Sequence, residues 1–139
     1  MNEAYKQALM ARDEGEIPVG AVIVANRQII ARAHNLTERL NDPTAHAEML
    51  AITAASHHFG TKYLNDCTLY VTLEPCGMCA GALYWAQLGK LVYAAADEKR
   101  GFTAINPGMI HPKTEIIRGT LQEESSALVS DFFRQLRDK

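Results

Sequence analysis

Two short polar clusters constrain this chain more than anything else in it. His46-Ala47-Glu48 and Pro75-Cys76-Gly77-Met78-Cys79 each open a segment that otherwise reads as a buried helix. The first continues as Met49-Leu50-Ala51-Ile52, and the second is dense in Gly77, Ala80, Gly81 and Ala82, small residues that imply close backbone packing. A helix with an apolar body and ligand-type side chains at its tip either carries ordinary polar end residues or delivers those side chains to a site.

The remaining elements follow from periodicity and punctuation. Residues 2–14 repeat Ala4, Ala8, Leu9 and Ala11 at helical spacing, with Gly15 as the stop. Residues 17–24 and 29–34 are rich in β-branched residues around a turn at Ala25 to Gln28, which predicts a hairpin. Asn41 or Asp42 is the expected cap of a helix that starts at Pro43, runs to about His58 and stops at Gly60. Strands are expected at 67–73, 91–95 and 115–118, a helix at 76–88, and an amphipathic helix from Gln122 carrying Leu128, Val129, Phe132, Phe133 and Leu136. An antiparallel hairpin followed by strand–helix–strand connections predicts an α/β fold: a mixed five-stranded sheet with helices on both faces, in three α/β/α layers.

The chain of 139 residues is long enough for one domain, 1–139, to bury a core without staples. With 14 basic and 16 acidic residues, the net charge of −2 supplies no global attraction to nucleic acid. No apolar run approaches the ~20 residues that span a bilayer, and the N-terminus lacks the layout of a signal peptide. No membrane association and a cytoplasmic location are the expectation. Three cysteines, an odd count, argue against a disulfide framework.

Two thiols and an imidazole are the ligand chemistry of zinc. His46, Cys76 and Cys79 provide three protein ligands, leaving one position for water, which is the arrangement of a catalytic centre. Thiolates at a helix N-terminus are favoured by its dipole and free N–H groups. Glu48 is the expected base, placed beside the metal rather than on it. Glu74, in the turn before Pro75, reads as structural, and Cys67 as a small buried apolar residue. His34, His57, His58 and His111 lack partners at ligand spacing.

The pattern H-A-E with P-C-G-M-C resembles the signature of zinc nucleobase deaminases. Over nearly its whole length the chain resembles the cytidine/deoxycytidylate deaminase superfamily, and within it the bacterial tRNA adenosine deaminases. The resemblance rests on E-I-P-V-G-A-V-I-V (16–24), N-D-P-T-A-H-A-E (41–48), T-L-Y-V-T-L-E-P-C-G-M-C-A-G-A (68–82), D-E-K-R-G (97–101) and D-F-F-R (131–134). It implies one Zn²⁺ per chain on His46, Cys76 and Cys79, and a Glu48 that shuttles a proton from the zinc-bound water to a ring nitrogen. It also implies that Asn35 hydrogen-bonds the base, that Asp97 lies near a neighbouring nucleotide, and that the chain forms a homodimer.

The implied substrate is adenosine at wobble position 34 in the anticodon loop of tRNA. The segment after Gly101 is several residues shorter than in typical tRNA deaminases, and A-L-Y-W-A (82–86) is similar to guanine deaminases. A free nucleobase or nucleoside, such as guanine or cytosine, is therefore the alternative substrate. Phe132 and Phe133 beside Arg134, Arg137 and Lys139 form an aromatic and basic edge suited either to RNA or to simple docking of the helix.

Overall fold

A computed structural model describes residues 1–138. The chain builds α1 (Asn2–Asp13), β1 (Gly20–Ala25), β2 (Gln28–His34), α2 (Ala47–Phe59), β3 (Thr68–Leu73), α3 (Gly77–Ala86), β4 (Lys90–Ala95), α4 (Phe102–Ile105), β5 (Glu115–Arg118) and α5 (Gln122–Arg137). Asn26 and Arg27 both adopt positive φ, 52° and 62°, the conformation that matches a tight hairpin to strand twist. The five strands lie in the order β2-β1-β3-β4-β5. β1 pairs antiparallel with β2 and β3, whereas β3–β4 and β4–β5 are parallel. The expected mixed sheet is what forms.

Side-chain alternation along the strands divides the core into two layers. Ala21, Ile23, Leu69, Val71, Leu91 and Tyr93 join Ala47, Ala51 and Ala55 of α2 and Ala80 and Leu83 of α3 in one apolar cluster. The other face carries α1 and α5. There α1 lies so close that a Cβ on Gly20 would come within 2.1 Å of the Ala4 carbonyl oxygen and 2.4 Å of the Ala8 nitrogen.

Register determines where the functional residues gather. Gly20 opposes His34, Ala21 opposes Val71, Leu73 opposes Ala95 and Tyr93 opposes Arg118. The start of β1 and the ends of the other four strands therefore share one sheet edge. Asn35, Glu74, Cys76 and Asp97 follow directly from those strand ends, where open α/β sheets commonly bind ligands.

The second helix corrects the expectation of a start at Pro43. It begins at Ala47, with His46 in extended conformation as its N-cap. The Asp42 carboxylate accepts bonds from both the backbone nitrogen and hydroxyl of Thr44, each 2.8 Å, so Asp42 serves a local turn instead of a helix. The third helix likewise starts one residue late, with Cys76 as N-cap, and ends at Ala86. The segment after Gly101, for which the sequence predicted no element, contains the short helix α4 and a 3-10 turn at Pro107–Met109.

Candidate active site

Both ligand-bearing helices begin in the same way. His46 and Cys76 are the N-cap residues of α2 and α3, both in extended conformation, and neither side chain makes a capping hydrogen bond. Cys79 lies in the first turn of α3. His46 Nδ1 is 3.6 Å from Cys76 Sγ and 3.6 Å from Cys79 Sγ. The ligand atoms of these three residues lie within 4.8 Å of one another and form the one such group among the described residues. A soft, compact set of two sulfurs and one nitrogen fits Zn²⁺.

The thiols are already polarised. A hydrogen bond from the Cys79 thiol, with a second from His46, lowers the Cys76 pKa to about 3. Cys79 is pushed up by its bond to Cys76 and by burial. The hydrogen bond to Cys76 raises His46.

Glu48 occupies the second position of α2 and is only 4% exposed. Burial, opposed in part by a backbone hydrogen bond, pushes its carboxyl up to about 7. A carboxyl poised near neutrality can both take and return a proton. It stands outside the ligand group. His46 precedes the helix in extended conformation whereas Glu48 lies within it, so the two side chains of this short H-A-E stretch leave the backbone in different settings.

Asn35 is buried at the end of β2, its backbone nitrogen bonded to Val19 O at 3.1 Å. Among the described residues its side-chain amide has no hydrogen-bond partner, so it is available to a ligand. Asp97 caps its own turn, Oδ1 accepting from the nitrogens of Lys99 and Arg100 at 3.2 and 3.0 Å.

Glu74 is structural in a specific way. Its buried carboxylate accepts from Asp97 N (3.1 Å), Thr103 N (3.0 Å) and Thr103 Oγ1 (2.7 Å). Phe102 N donates to Pro75 O at 2.9 Å, and Cys76 forms a backbone bridge with Gly101. These bonds join the 97–103 loop to the metal-bearing turn. A third buried carboxylate, Glu16, escapes sequence reasoning; its only signal is an acidic residue just ahead of an apolar strand.

The other candidates lie elsewhere. His34 pairs with Glu14 at 2.5 Å, His57 and His58 are exposed on α2, and His111 packs against Tyr84. Cys67 is buried. On α5, Leu128 is buried, Phe132 and Phe133 are half-buried against each other, and Arg134 is bonded to Asp131 at 2.8 Å. Lys139, part of the expected basic edge, lies outside the described residues.

Three zinc-type ligands at the strand ends with a carboxyl beside them form the arrangement of a hydrolytic metal centre. Residues 1–95 match the zinc-binding region of cytidine and deoxycytidylate deaminases, and the chain belongs to that family. It is 46% identical to the tRNA-specific adenosine deaminase of Bacillus subtilis (strain 168), over all of this chain and 89% of that protein. It also matches a solved structure from work on A-to-I editing by tRNA:A34 deaminases at the wobble position. That match has a TM-score of 0.85 at 38% identity, covering 92% of this chain and 96% of the other. A guanine deaminase from Bacillus subtilis aligns with a TM-score of 0.67 at 35% identity, covering 99% of this chain and 91% of that one.

Proposed function

We propose that residues 1–139, as one domain, convert adenosine to inosine at wobble position 34 of tRNA and release ammonia. The observation that carries this reading is the 46% identity to a tRNA-specific adenosine deaminase over the full chain. A free base is the second reading, favoured by the guanine deaminase likeness, which is weaker in both identity and superposition.

In this reading His46, Cys76 and Cys79 hold zinc, which supplies a Lewis-acid centre that activates water at neutral pH. Glu48 takes a proton from the attacking water and gives it to ring nitrogen N1 as oxygen bonds to C6. The second proton of that water passes through Glu48 to the exocyclic amine. The C6–N bond then breaks, and ammonia leaves behind a carbonyl. Asn35 orients the base with its free amide. An unstacked anticodon nucleotide reaches such a site at less cost than one in a duplex.

The exposed Lys99 and Arg100, on the loop that Glu74 joins to the Cys76 turn, are suited to phosphate contacts. Met78 and Trp85 are seven apart on α3 and present one exposed stripe, with Ile105 against the helix start. Trp85 is 77% and Ile105 64% exposed, and a second copy of the chain is the occupant proposed for this surface. A cytoplasmic location follows from the proposed tRNA substrate; no described helix is long and apolar enough to cross a membrane.

The deciding experiment compares ammonia release from an anticodon stem-loop with release from guanine, cytosine, adenine and adenosine. Turnover of the stem-loop is expected. Turnover of a free base alone would replace this reading with the second.

A further inference from the structure

Between Asn35 and His46 the chain makes a ten-residue excursion, 36–45, that contains neither strand nor long helix. It nevertheless returns on itself: Leu36 N donates to Ala45 O at 3.0 Å, so Asn35 and His46 stand at the two feet of one closed loop. Inside it, Leu40 N bonds Leu36 O at 2.9 Å and Asp42 N bonds Thr37 O at 3.0 Å. Asn41, at φ 49°, ends this single helical turn. A lone turn of this kind has little stability of its own, because nucleation fixes several dihedral angles for one hydrogen bond.

The support comes from Glu16, which lies between α1 and β1. Its side chain is fully buried. Glu38 N donates to Oε1 at 2.9 Å, Arg39 N to Oε2 at 2.8 Å, and Thr37 Oγ1 to Oε1 at 3.4 Å. The nearby Arg39 guanidinium pairs with Glu14 instead, at 3.3 Å, and among the described residues Glu16 makes no ion pair. A buried carboxylate without a cation is costly unless its lone pairs are filled. Here they are filled by the first free N–H groups of the turn, the groups an N-cap side chain would otherwise satisfy. Glu16 therefore caps this turn from 22 residues away. The same segment also holds the Asn35 foot, since Val19 O accepts from Asn35 N.

We propose that Glu16 is a positioning residue, whose carboxylate fixes the 36–45 loop and thereby the placement of the base-orienting Asn35 relative to His46. This rests on the reading of Asn35 given above. A displacement of about 1 Å in a reacting group can cost about 10²-fold in rate, so a loop that sets this spacing influences turnover without touching substrate.

The test uses zinc-loaded full-length protein and the variants Glu16→Gln, Thr37→Val, Asn35→Ala and Glu16→Gln/Asn35→Ala. Glu16→Gln keeps the shape but turns an amide donor toward backbone donors. Zinc content is expected to stay at the wild-type level. Its kcat/KM on the stem-loop should fall by about 10²-fold, with a smaller fall in Thr37→Val. The double variant should be no slower than Asn35→Ala, because two changes acting through one group do not add.

Hydrogen exchange supplies a readout independent of turnover: the Glu38 and Arg39 amides lose protection in Glu16→Gln while those of β3 and β4 keep theirs. Additive losses in the double variant, unchanged exchange at those amides, or zinc loss with global destabilisation would each overturn the proposal. If wild type turns over only a free base, the cycle is run on that base. The tRNA reading has then failed while Glu16 is still judged. A wild type inert on every substrate refutes both.

Discussion

A Cβ on Gly101 would lie 2.2 Å from Glu74 Oε2 and 2.5 Å from Asp97 O. Glycine is therefore required where the 97–103 loop crosses the carboxylate that anchors it. Gly101→Ala should destabilise the zinc-loaded protein by about 1–3 kcal/mol through overpacking. Glu74→Gln, which sets a donor against donors, should cost a similar amount. Urea denaturation measures both, and a Gly101→Ala protein with an unchanged midpoint would show that the loop has room.

The three-ligand centre predicts the response to metal removal. Zinc bound only by the folded chain stabilises it by mass action, so a chelator should lower the melting temperature of wild type. His46→Ala and Cys76→Ser should lose most bound zinc by elemental analysis, and their melting temperatures should no longer respond to chelator.

Tyr93 predicts an alkaline response. Burial, reinforced by Glu74, raises its phenol above the usual 10.0, with Arg118 opposing. The native chain then holds this proton more tightly than the unfolded one, and stability must fall as pH climbs above 10. Tyr93→Phe keeps the edge-on packing with Phe102 and removes the titrating hydroxyl. Its stability should decline less steeply above pH 10 in denaturation series.

Much of this molecule was legible from sequence because its signals are local. The hairpin, the four long helices and the mixed pairing follow from periodicity and turn residues, and the ligand set from residue chemistry. Asp42 misled because the same side chain serves a helix cap or a local turn, and Thr44 decided for the turn. The short α4 offers four residues and no period to read. Glu16 and Glu74 act on partners 21 to 29 residues away, which local pattern cannot reveal.

The exposed stripe on α3 predicts assembly. Trp85→Glu should convert a homodimer to a monomer in sedimentation velocity with zinc retained. Wild type sedimenting as a monomer would remove the second copy from the account.

Glu48 tests the chemistry most directly. Zinc-loaded Glu48→Gln should keep its metal and its fold while ammonia release from the anticodon stem-loop falls by at least about 10²-fold, the scale of a lost general acid–base. Ammonia release at the wild-type rate from a zinc-replete Glu48→Gln protein would contradict the account.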